Sequence, residues 1–68
     1  MTIVTKNSAY RIEPEGARFR VTKIAAQNPL STFMTVGEWK LTDRIEVQVG
    51  DYAEFDGWST SRVMEIRP

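Results

Sequence analysis

The stretch WKLTDRIEVQV, residues 39–49, decides how this 68-residue chain is read. Trp39, Leu41, Ile45, Val47 and Val49 fall on odd positions, and Lys40, Thr42, Arg44, Glu46 and Gln48 fill the even ones. Successive side chains of a strand point to opposite faces, so the odd positions are expected to meet a core and the even ones water. Asp43 breaks the pattern from within. Either the chain bends there and returns the carboxylate to solvent, or a buried acid finds donors, because burial without them is expensive.

The same alternation extends along the chain. Tyr10 and Ile12 share a face opposite Arg11 and Glu13, while Phe19 and Val21 share one opposite Arg18, Arg20 and Thr22. Punctuation falls where hairpins need it. Pro14-Glu15-Gly16 is read as the first turn, and Gly50-Asp51 suits a tight loop whose first residue takes positive φ. Asp56-Gly57 between Phe55 and Trp58 is a strong two-residue hairpin signal. Strands are expected near 1–6, 9–13, 17–25, 32–36, 38–49, 52–55 and 58–67, with one helical turn at most, around Asn28–Thr32. Ile24 is out of phase with Phe19 and Val21, so a bulge is expected near Thr22–Lys23. Met64 and Ile66 are expected to carry the alternation into the core, with the C-terminal strand closing against an early one.

Six or seven short strands in one domain of 68 residues predict an all-β fold. The expected architecture is a small antiparallel barrel, SH3-like or OB-like, or a compact sandwich, since closure removes exposed edges. A chain this short buries only about 60% of its unfolded surface, so the 41% of hydrophobic residues serve one small core. Cys and His are both absent. That removes disulfides, thiolate metal sites, the commonest general base and the commonest metal ligand.

Chemistry is correspondingly thin. Ser31, Ser59, Thr60 and Ser61 lie in no nucleophile motif, and Asp51, Glu54 and Asp56 do not match the spacing of a calcium loop. The four glycines stand singly and cradle no phosphate. No catalytic residue, metal site or cofactor is expected. No apolar run approaches the roughly 20 residues of a membrane span, and MTIVTKNSAY lacks the apolar core of a signal peptide. A cytoplasmic protein with no membrane partner is the expectation.

Net charge is zero, yet unevenly placed: residues 1–34 carry five basic and two acidic groups, residues 35–68 four and seven. Either the two halves pair with each other or a polar partner surface is present. The hairpin of residues 10–21 sharpens the question by setting Arg11, Arg18 and Arg20 on one side. With Glu15-Gly16 as the loop, Arg11 opposes Arg20; with Pro14-Glu15, it opposes Arg18. Opposed like charges are unfavourable, so an acidic group is expected nearby. It is either internal, such as Glu13, Glu46 or Glu65, or external, on a phosphate or an acidic partner.

Arg11, Arg18, Arg20 and Lys23, with Trp58 after the Asp56-Gly57 turn, are therefore the candidate partner-binding residues. Trp58 is equally suited to core packing. Nucleic-acid binding is disfavoured, because the domain has no charge excess and Tyr10, Phe19 and Trp39 fall in the apolar phase rather than on an open basic face.

The start Thr5-Lys6-Asn7-Ser8-Ala9-Tyr10 and the finish Thr60-Ser61-Arg62-Val63 resemble those of small uncharacterised β-rich proteins of actinobacteria and their phages. Those share a T-x-N-S-x-Y start and a T-S-x-V finish; Arg62 stands where that pattern often has Pro. The resemblance implies a compact accessory protein, phage-encoded or actinobacterial, acting by contact rather than chemistry and, if phage-encoded, in the host cytoplasm. A protein-binding or assembly module, partnered by another protein or by itself, is the leading expectation. A nucleic-acid-binding barrel using the Arg11/Arg18/Arg20 face is the alternative.

Overall fold

A computed structural model of the chain describes residues 1–27, 29 and 33–68. Among these residues are six strands: β1 (Thr2–Thr5), β2 (Ser8–Glu15), β3 (Arg18–Ala26), β4 (Trp39–Thr42), β5 (Tyr52–Glu54) and β6 (Ser59–Arg67). They form one antiparallel sheet in the order β4-β3-β2-β1-β6-β5, curled into a half-barrel. The all-β class holds. Residues 33–36 of the strand expected at 32–36 form no strand; residue 32, and all of the expected 28–32 turn except Pro29, lie outside the described residues.

The first hairpin turns one residue later than a Glu15-Gly16 loop and two later than a Pro14-Glu15 loop, the two expected. Glu15 pairs with Arg18, so the loop is Gly16-Ala17, with positive φ (61°) at Gly16 as the first central residue of a type II′ turn demands. Pro14 stays inside β2. Ile12 exchanges main-chain hydrogen bonds with Met1 (2.8 and 3.2 Å), so the even residues of β2 point their main chain towards β1. The Pro14 nitrogen thus faces the side where β1 has already ended, and no ladder donor is missed.

That turn also corrects the register. Ile12 faces Val21, Glu13 faces Arg20 and Arg11 faces Thr22, so no arginine of this hairpin opposes another. The expected bulge is present, one residue on: Ala9 pairs with Ala25 and Tyr10 with Lys23, leaving Ile24 as the extra residue of β3. β6 carries a second irregularity. Val4 pairs with Glu65 but Thr5 with Val63, which leaves Met64 bulged out and 60% exposed, not in the core as its phase predicts. Ile66 opposes the buried Ile3 but is itself 37% exposed.

The segment 39–49 departs most from its reading. It is a four-residue strand, a bend at Asp43 and an irregular run, not one long strand. Phe19 pairs with Thr42 and Val21 with Lys40, so the phase of β3 dictates that of β4. Thr42 is buried, whereas Trp39 and Leu41 are 48% and 40% exposed. Past the bend the expected phase returns at Ile45 and Val47, which pack against the core, and Asp43 is in solvent; it fails again at Val49, which is exposed rather than inward.

The core gathers Ile3, Tyr10, Ile12, Val21, Ala53, Phe55 and Val63 from five strands and their margins, with Met34 from the β3–β4 connection. Two polar devices hold its rim. The Thr5 hydroxyl accepts from Ser8 N (3.0 Å) and donates to Ser8 O (2.9 Å), closing the β1–β2 corner. The edges of the half-barrel meet at a seam beyond β4. Glu46 and Glu54 exchange main-chain hydrogen bonds of 2.9 Å, Asp56 Oδ2 accepts from Asp43 N, and Asp56 N donates to the buried Thr42 hydroxyl (3.2 Å).

Candidate functional site

Three rows of side chains cross the outer face of β2, β3 and β4. Arg11, Thr22 and Trp39 form one; Glu13, Arg20 and Leu41 the next; Glu15 and Arg18 the last. The three arginines do share a side, as the alternation of the hairpin requires. The carboxylates beside them are internal. Arg18 Nε lies 3.0 Å from Asp43, Arg20 pairs with Glu15, and Glu13 stands directly opposite Arg20. Arg11 has no ion-pair partner among the described residues.

At the centre of this face the Arg20 guanidinium lies 4.5 Å from the ring centroid of Trp39, a cation–π arrangement. Its Nε is buried and meets no acceptor among the described residues. Arg20 is thus held by a carboxylate on one side and an indole on the other, which fixes the guanidinium instead of leaving it to sample solvent. Leu41, directly opposite Arg20, completes an apolar and cationic centre ringed by Arg11, Glu13 and Glu15.

The other two sequence candidates lie elsewhere. Lys23 faces inward in the row of Tyr10 and is 1% exposed. Its ammonium donates to Phe33 O (3.1 Å) and Met34 O (2.8 Å). A chain that must dispose of a buried charge here uses it to pin the β3–β4 connection against the sheet. Trp58 is half-buried, stacked on Phe55 with centroids 4.2 Å apart and tilted against Phe33 at 5.1 Å. Its ring serves the core, although with Phe55 and Gly57 it lines a shallow hollow. Sequence reasoning missed Trp39 and Leu41, because their apolar character is the usual sign of burial.

Of the hydroxyls considered as nucleophiles, Ser31 lies outside the described residues. The Thr60 hydroxyl donates to Ser61 O (2.7 Å), and the Ser61 hydroxyl accepts from Asn7 N (3.2 Å). Among the described residues no three carboxylates converge as a metal would need, and no helix is long and apolar enough to cross a membrane. At the far end of the sheet Arg67 donates to Glu65 (2.5 and 3.2 Å), and this hydrogen bond holds the Glu65 carboxyl below its ordinary pKa.

No protein-family model matches the chain, and no curated protein or solved structure is similar to it.

Proposed function

We propose that this chain is a non-enzymatic accessory module that works by binding another protein through the outer face of β2, β3 and β4. The observation that supports this reading is the outward Trp39–Leu41 pair with Arg20 stacked on the indole. Tryptophan and arginine dominate the energetic centres of protein interfaces, and a rim of mixed charge is their usual surround. The acids Glu13, Glu15 and Asp43 interleave with Arg11, Arg18 and Arg20, so the face is nearly neutral and complements a folded or peptide surface better than a polyphosphate.

A second reading draws on the same observation. An exposed indole beside Arg20 and Arg11 is a stacking platform of the kind single-stranded nucleic acids use, with cation–π help from arginine.

One comparison separates them. Tagged wild-type protein and the Trp39→Ala and Arg20→Glu variants are used in crosslinking pull-downs from the native host, with fluorescence anisotropy of mixed-sequence oligonucleotides in parallel. The protein-binding reading expects a discrete set of partners lost in both variants and no oligonucleotide binding at low salt. Oligonucleotide binding that weakens steeply as salt rises would transfer the face to the second reading. A partner set identical in all three proteins would remove the face from either.

A further inference from the structure

The main chain of β4 carries a second signal, independent of its side chains. Lys23 N donates to Glu38 O (3.0 Å), so along this antiparallel pair Val21–Lys40 and Phe19–Thr42 are the hydrogen-bonded positions. Trp39, Leu41 and Asp43 therefore aim their N–H and C=O groups away from β3, into the seam. Asp43 N is taken by Asp56. Trp39 and Leu41 have no main-chain partner on that side among the described residues.

The reason is the length of β5. The seam runs antiparallel through Glu46 with Glu54 and Asp43 with Asp56. Its continuation would call for a partner of Leu41 near Trp58. There the chain has already turned at Asp56-Gly57 and starts back as β6, hydrogen-bonded to Phe55 (2.8 Å). Among the described residues the half-barrel is zipped along one half of its seam and open along the other. Four main-chain groups without a main-chain partner among the described residues lie on an edge whose outward side chains are Trp39 and Leu41 and whose inward one is Lys40.

Charge decides the occupant. Lys40 lies 5.6 Å from the Phe33 ring and has no carboxylate partner among the described residues. A second copy of this chain would satisfy all four groups in one antiparallel register, with Trp39 against Leu41 of the copy. That register sets Lys40 directly against its own counterpart, an unfavourable pair. We propose that the open seam takes an extended segment of another protein by strand addition, with an acidic residue opposite Lys40 and apolar residues on either side of it, opposite Trp39 and Leu41. The proposal rests on the protein-binding reading above and specifies its mode: main-chain pairing supplies affinity, and the apolar-acidic-apolar triplet supplies selectivity.

The test uses 15N-labelled full-length protein and the synthetic peptide acetyl-Thr-Val-Glu-Val-Thr-amide. The expected result is a downfield shift and slowed hydrogen exchange of the Trp39 and Leu41 amides, with saturable binding. Replacing the central Glu of the peptide by Lys should weaken binding about five- to thirtyfold, and Lys40→Glu should reverse that preference. N-methylation of both Val residues removes the pairing donors and should weaken it about tenfold or more.

Equal binding of the parent and N-methylated peptides, or no response at Trp39 and Leu41 at millimolar peptide, overturns strand addition. So does concentration-dependent dimerisation of the free protein, in analytical ultracentrifugation, that itself protects those two amides. The two readings fail separately. Pull-down partners lost on Trp39→Ala together with indifference to N-methylation keep the binding face and discard the strand. Partners unaffected by Trp39→Ala alongside a normal peptide response discard the face and keep the strand.

Discussion

Lys23 is the residue whose role most inverts its sequence character. A lysine in a basic hairpin reads as a surface cation, but unbroken alternation from the inward Val21 turns it into the half-barrel. Its ammonium donates to the carbonyls of Phe33 and Met34 in place of water. Lys23→Met keeps much of the volume and leaves both carbonyls without that donor, a loss of about 1–3 kcal/mol. Urea unfolding should show a lower midpoint with an unchanged slope. A variant as stable as the wild type would mean that the connection is held by apolar contacts alone, since replacing a buried charge by a hydrophobe is sometimes harmless.

At the scale of elements, the seam is the weakest joint, because among the described residues its two edges meet through side chains and a single bridge rather than a continuous ladder. Asp56→Ala removes the acceptor from Asp43 N and should cost about 0.5–2 kcal/mol, in the range of a lost cap. Native-state hydrogen exchange should quicken at Asp43 and Glu54 before it does at Tyr10 or Val21. Uniform acceleration would mean that the seam opens only with global unfolding.

The hairpins were legible because period-two patterning and Gly-containing turns are local signals. The phase of Tyr10 and Ile12 with Val21 follows from them, as does the common side of the three arginines. The exact turn was not, because Pro14 is tolerated in β2 only through the end of β1 beside it, a fact of tertiary pairing. The phase of β4 was illegible for the same kind of reason. β3 sets its register, and the inward Thr42 is satisfied by Asp56 N and Arg44 O, partners invisible to a hydropathy pattern. The misreading hid the outward Trp39 and Leu41, and with them the centre of the candidate surface. The bend at Asp43 was readable, since a carboxylate in an apolar phase costs too much to bury unpaired.

For the whole molecule, eight buried apolar side chains form the core cluster, so each carries a large share of the stability. A domain of this length is stable by only about 3–10 kcal/mol at typical values per residue. Ile3 is fully buried between β2 and β6, and Ile3→Ala should cost about 2–5 kcal/mol. At 25 °C the variant should be substantially unfolded by circular dichroism, or have a strongly lowered Tm. Retention of the wild-type Tm would show that Ile3 is not central to the packing.

The placement of β1 between β2 and β6 has a consequence for biosynthesis. Thr2 leaves the ribosome well before its partner Arg67 is made. At about 5–20 residues per second, that flank of β1 waits roughly 3–13 s for the strand that covers it. Until β6 emerges the nascent chain can hold at most the sheet of β1 to β4, its apolar side without a lid. The sheet therefore closes only once β6 has emerged, and a stall before that point would leave a sticky, half-made sheet for chaperones or proteases to find.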